Sequence, residues 1–229
     1  EILIGLVGSE MCIRDRIKEH KKIKKEGRLM KFLELNKKRH AVKTFNSKPV
    51  EYKDLRTAIE IATLAPSANN IQPWKFVIVE DKKAELAKDL PSLNKKQVEE
   101  AQYVVALFTD TDLVQRSRKI ARIGVKSLDN SKLGYYMETL PARYAEYDDK
   151  SKGEYLALNA GLVAMNLVLA LTDQDISSNI LLGFDKSLTN DILDIDKRFR
   201  PELLITVGYS DDKSEPSYRL PVDEIIERR

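Results

Sequence analysis

Cysteine occurs once in this chain, at Cys12, and histidine only twice, at His20 and His40. One thiol cannot close an internal disulfide, and so few soft ligands exclude a multi-cysteine or His-rich metal centre. The sequence also lacks a glycine-rich loop of the dinucleotide or nucleotide type. No serine has a nucleophile-elbow context, and no Ser–His–Asp arrangement is evident. Asp110 and Asp112 follow an expected strand, but without a third ligand they do not argue for a metal. The longest apolar run, "YLALNAGLVAMNLVLALT" at residues 155–172, contains Asn159 and Asn166 and is closed by Glu154 and Asp173. A spanning helix needs about 20 mostly apolar residues, so a buried helix is expected and no membrane partner.

With 229 residues, 42% hydrophobic and 33% charged, the chain can bury one sizeable core. Its opening, "EILIGLVGSEMCIRDR", has the wrong order for a secretory signal: an acid, a very short apolar run, then basic residues. "LVGSEMCIRD" is what CTC GTG GGC TCG GAG ATG TGT ATA AGA GAC encodes, a common transposon-type sequencing adapter. "KKEGRL" before Met30 reads as a translated ribosome-binding site. Residues 1–29 are therefore expected to be a non-native, unpacked leader, and residues 30–229 a single domain. The leader holds eight of the 39 basic and five of the 36 acidic residues, which leaves 31 of each sign. The basic excess that would suggest a nucleic-acid partner disappears with it.

From Met30 onward there is no repeat, low-complexity tract or clear linker. "MKFLELNKKRHA" reads as a short amphipathic helix with Phe32, Leu33 and Leu35 as its apolar face. "EYKDLRTAIEIATLA" has Leu55, Ala58, Ile59 and Ala62 at helical spacing and stops before Pro66. "KFVIVE" is an expected strand, "KKAELAKDL" a helix and "YVVALFTD" a buried strand. Residues 112–147 are charged and helical, with Gly134 and Pro141 as interruptions. Residues 154–173 form a long helix apolar on most faces, hence buried centrally or packed between subunits. "SSNILLGF" is a strand, "KSLTNDILD" a helix and "PELLITVGY" a central strand. The mixture gives an α+β or three-layer sandwich class.

Four segments carry candidate chemistry. "KRHAVKTF" gathers Arg39, His40 and Lys43 at a helix end; arginine offers phosphate a bidentate fork and lysine a point charge, although such a cluster is also an ordinary solvated face. "APSANNIQPWKF" combines Ser67, Asn70 and Gln72 with Trp74 between a helix and a strand. Its amides supply donors and acceptors for the edge of a heteroaromatic ring, and an Asn-rich turn beside a core tryptophan explains it equally. "LLGFD" ends a strand, and Gly183 allows a flat ligand close approach. Arg219, in "SYRLP", is a lone tail arginine.

Taken together and in order, these segments resemble the FMN-dependent nitroreductase family over essentially all of residues 30–229. The resemblance implies an α+β, three-layer α/β/α sandwich with a mostly antiparallel central sheet. It also implies a cytoplasmic, intertwined homodimer with FMN at the subunit interface. Arg39, His40, Ala41 and Lys43 would hold the FMN phosphate and ribityl chain, joined by Arg219. Ser67, Asn70 and Gln72 would line the flavin from the other subunit, and Asn94 and Gln97 would reach its edge. Leu181, Leu182 and Gly183 would lie along the ring near N5. The chain departs from the family pattern at several positions. Ala41 stands where Ser or Thr is usual, Lys43 where Arg is frequent, Ser217 where some relatives have Lys, Asp175 where Gly is common, and Leu182 where one branch has Glu.

By this resemblance NADH or NADPH would deliver hydride to FMN and leave, and a nitroaromatic, quinone or similar planar acceptor would then be reduced in the same site. No protein acid or base is needed. A flavin reductase or dehalogenase-type relative, and a non-enzymatic flavin-binding dimer, share the same cofactor site. Residues 112–147 would cover the active site and set the substrate.

Overall fold

The computed structural model describes residues 32–88, 90–212 and 217–229. The leader inferred for residues 1–29, and Met30 itself, lie outside the described residues.

Four strands form one antiparallel sheet in the order β1-β2-β4-β3: β1 (Trp74–Val79), β2 (Tyr103–Asp110), β3 (Ser177–Leu181) and β4 (Phe199–Gly208). β2 and β4 are central and β1 and β3 are the edges. Their sequences explain this placement, since "YVVALFTD" and "PELLITV" are near-continuous apolar runs buried on both faces, as central strands require. Val105, Leu107, Leu203, Ile205 and Val207 point to one face, and Val104, Ala106, Phe108 and Leu204 to the other.

The first face is covered by α2 (Tyr52–Ala62) and by the 25-residue α8 (Asp149–Asp173), through Leu55, Ala58, Val163, Leu167 and Leu171. The second is covered by α3 (Lys83–Leu86), α4 (Ser92–Glu100) and α9 (Lys186–Ile192), through Leu86, Val98 and Ile192. The helix–sheet–helix sandwich expected from the sequence is present. Trp74 lies in the core beneath α8.

Several elements differ from expectation, each for a local reason. α8 starts five residues early because the Asp148 carboxylate accepts from Ser151 N at 2.7 Å and caps it. α3 is only four residues long, followed by turns, with Leu86 and Leu90 anchored in the core. Gly134 and Pro141 do not break the chain: α6 (Asn130–Gly134) runs into a π-turn (Tyr135–Thr139) and then α7 (Leu140–Ala145), where Pro141 lies in the first turn. α5 (Leu113–Gly124) precedes them, capped by Asp112. α1 (Phe32–Lys38) forms but has no buried residue, and among the described residues Phe32 and Leu33 are left 72% and 65% exposed.

Candidate active site

The first group of predicted residues lies on the β3 edge. Val42 N donates to Ser178 O at 3.2 Å, which lays residues 39–43 along that edge. His40 Nδ1 is 2.8 Å from Lys38 O, and His40 Nε2 is a buried nitrogen without a partner among the described residues. Half-buried Arg39 and exposed Lys43 have no carboxylate partner among the described residues, and Ala41 is exposed beside them. Lys38, by contrast, is paired with Asp175, whose φ of 61° is the left-handed conformation that favours glycine and that aspartate tolerates. The two cations form a donor set suited to an oxyanion, and the imidazole nitrogen, with the ring proton held by Nδ1 against the Lys38 carbonyl, is an acceptor suited to a hydroxyl.

The same edge ends in Leu181, which is buried, then Leu182 and Gly183, which are exposed. Asn94, on α4, donates its Nδ2 to Gly183 O at 3.0 Å. A Cβ at residue 183 would approach that Nδ2 to 3.1 Å, so glycine permits the contact. Gln97, one turn later, is buried and spoken for: its Nε2 donates to Leu93 O and its Oε1 accepts from Asn179 Nδ2 at 2.6 Å. Gln97 thus ties α4 to β3 beneath the edge.

The second group, residues 67–72, leads into β1. Asn69, Asn70 and Gln72 all have positive φ, at 54°, 50° and 46°. This conformation costs a non-glycine residue about 1–2 kcal/mol, with asparagine the most tolerant. Ser67 Oγ accepts from Gln72 N at 2.9 Å, and Gln72 Nε2 donates to Asn70 Oδ1 at 3.1 Å, so the three predicted side chains converge.

Residues outside the predicted set surround this turn. Tyr136 Oη donates to Asn69 O at 2.8 Å and Tyr135 Oη to Asn69 Oδ1 at 3.0 Å. Tyr155 Oη donates to Ala68 O, and Asn159 Oδ1 accepts from Ala68 N. Tyr144 Oη accepts from Asn69 Nδ2 and bonds Tyr155 Oη at 2.8 Å. Arg116, on α5, donates its Nε to Ile71 O at 3.2 Å and its Nη2 to Gln72 O. Burial raises the hydroxyl pKa values of Tyr144 and Tyr155 above the ordinary tyrosine value, and the bond between them adds to the rise at Tyr144. Burial lowers that of Arg116, against the opposing charge of Asp110. The signal for this cluster was compositional: five of nine tyrosines (135, 136, 144, 147 and 155) fall within one short stretch.

Residues 181–183 lie at the end of the sheet where residues 67–72 enter β1, on the opposite edge, whereas Val42 sits beside Ser178, in register with Val207 and Tyr103 toward the other end. Leu181 is in register with Leu204, Ala106 and Val77, so three strand spacings, about 14 Å, separate the edges. One chain therefore does not bring residues 67–72 beside residues 39–43 and 181–183. Arg219 joins neither group. It lies in an exposed tail and donates to its own neighbours, Ser217 O and Tyr218 O.

The antiparallel sheet between helical layers is shared with solved structures of the nitroreductase fold. The Nitroreductase family model matches residues 37–209, and the chain belongs to that family. It is 79% identical, over 87% of its length and 100% of the relative's, to a Streptococcus pyogenes serotype M6 protein named "Putative NAD(P)H nitroreductase Spy0809". The crystal structure of a nitroreductase family protein from Streptococcus pneumoniae TIGR4 matches with a TM-score of 0.84 and 66% identity, covering 87% of this chain and 100% of that one. An Exiguobacterium sibiricum 255-15 structure, solved in complex with FMN, matches with a TM-score of 0.79 and 27% identity, covering 87% and 98%. The names of these relatives imply oxidoreductase activity.

Proposed function

We propose that this chain is an FMN-dependent NAD(P)H oxidoreductase that reduces nitroaromatics, quinones or similar planar acceptors as a homodimer. The observation that carries this reading is the β3 edge, where Arg39, Lys43 and the unpartnered His40 Nε2 lie on the same edge as Leu182 and Gly183. The donor set suits a phosphate, and the exposed backbone beyond β3 suits the face of a flat ring.

FMN, when bound, would supply the redox chemistry by taking hydride from NADH or NADPH and reducing the acceptor. The chain's own residues would bind and orient it. Arg39 and Lys43 would neutralise the phosphate, His40 Nε2 would accept from a hydroxyl of the ribityl chain, and Arg219 of the tail would add charge. Asn94 fixes the Gly183 carbonyl, which holds the end of β3 where the ring would lie. Asn70 and Gln72 of the partner subunit would present amide donors and acceptors to the ring edge. A two-fold dimer turns both opposite-edge groups into two complete sites.

Anaerobic titration tests this reading. The purified protein is expected to be yellow, to bleach on addition of NADH or NADPH without oxygen, and to recover its colour with a nitroaromatic or quinone. Protein that takes up no FMN overturns the cofactor assignment. Protein that bleaches but is not reoxidised by any planar acceptor overturns the reductase assignment.

A further inference from the structure

Asn69, Asn70 and Gln72 hold left-handed backbone conformations within four residues, and strain of this kind persists only where the surroundings over-determine it. Here the surroundings are specific. The Ala68 N–H and carbonyl are taken by Asn159 and Tyr155, the Asn69 carbonyl by Tyr136, and the Ile71 and Gln72 carbonyls by Arg116. The Asn69 side chain lies between the hydroxyls of Tyr135 and Tyr144. None of these bonds uses the side chain of Asn70 or Gln72, which face each other, Asn70 exposed and Gln72 half-buried.

We propose that Tyr135 and Tyr136 are positioning residues for the flavin: through their hydroxyl bonds to Asn69 they hold residues 67–72 in the shape that presents Asn70 and Gln72. The proposal rests on the FMN reading above. Both tyrosines belong to the π-turn of the segment between α6 and α7, and π-turns commonly mark functional positions. Their rings meet edge to face at 5.6 Å, so the pair is braced independently of the hydroxyls. The hydroxyls therefore position the turn, and the rings pack the segment. A preorganised turn meets the ring edge without first being ordered, and an unclamped turn must be ordered at the moment of binding. The segment that would wall the acceptor slot and the turn that would hold the cofactor then move as one body.

The Tyr135→Phe/Tyr136→Phe double variant separates the two roles, because it keeps both rings and removes both hydroxyls. Flavin would be stripped from parent and variant, and FMN affinity measured by quenching of flavin fluorescence, beside thermal unfolding of the apoprotein. We expect the Kd for FMN to rise about tenfold or more while the apoprotein midpoint stays within a few degrees of the parent. Restoring Tyr136 alone should recover part of the affinity, since its bond to the Asn69 carbonyl fixes the backbone directly. A double-variant Kd within twofold of the parent overturns the proposal. So does a rise accounted for by a smaller folded fraction. If the parent itself fails to quench FMN fluorescence, the FMN reading has failed instead.

Discussion

Arg39 and Arg116 are both half-buried arginines, and they do opposite things. Arg116 spends its donors inside the chain, on Ile71 O and Gln72 O, whereas Arg39 has no carboxylate partner among the described residues. Removing Arg116 strands carbonyls, and Ile71 itself is fully buried. An unsatisfied buried carbonyl costs about 1–3 kcal/mol, so Arg116→Leu should lower the unfolding midpoint by about 2–12 °C, at about 2–4 °C per kcal/mol for a domain of this size. Calorimetry of the apoprotein checks this, and an unchanged midpoint would show that Arg116 is idle. Arg39→Ala should leave that midpoint alone and weaken FMN retention, since a charge-assisted hydrogen bond contributes about 1.5–3 kcal/mol, or about 10- to 100-fold in Kd. Purification of Arg39→Ala with a full complement of flavin would remove Arg39 from the phosphate site.

At the level of elements, what repeats along the chain was legible and what depends on side-chain partners was not. β2 was read to the residue because an uninterrupted apolar run has only one place to go, the sheet centre. α8 was read from its apolar character, but its start depends on one carboxylate, Asp148, that periodicity does not weigh. Gly134 and Pro141 misled because each is a breaker in isolation, while a π-turn between them carries the helix through. The basic edge was legible as a motif, yet Gln97 proved to be bonded at both ends of its amide to Leu93 and Asn179, which only the packing of α4 on β3 reveals. The tyrosine cluster showed only as a local excess of tyrosine, because its bonds link residues 68–69 to residues 135–155. That cluster has a pH signature. Tyr144 and Tyr155 keep their protons in the folded state to a higher pH than in the unfolded chain. The stability they contribute is fully present below the ordinary tyrosine value, about 10, and is lost as pH rises beyond it. The unfolding midpoint should be flat to about pH 9 and fall above about pH 10. Ionisation of Tyr144 and Tyr155, read by tyrosinate absorbance, should coincide with unfolding. Their ionisation with the fold intact would mean that the cluster is open to water.

In the proposed dimer the whole molecule is two chains, because the two candidate half-sites of one chain occupy opposite edges of its sheet and, among the described residues, apolar side chains on α8 and the tail stand exposed. On α8, Ala157, Leu158, Gly161, Leu162 and Met165 form one exposed stripe along the helix, with Leu158 66% exposed. Two small residues in that stripe allow close helix approach, and exposed apolar stripes of this kind mark interfaces. The tail adds Leu220, Val222, Ile225 and Ile226, all exposed. A two-fold axis beside α8 would cover the stripe with its own copy and set residues 67–72 of one chain against the β3 edge of the other. Leu158→Glu places a carboxylate opposite its symmetry mate and should produce monomers in sedimentation velocity. The sheet and both faces of its core lie within one chain, so the monomer should keep its far-ultraviolet circular dichroism. It should nevertheless lose FMN by about 100-fold or more in Kd, because half of each site departs with the partner, a loss of about 2.7 kcal/mol. A monomer that binds FMN as tightly as the parent would place the whole site within one chain, and the two-edge division of the cofactor site would have to be abandoned.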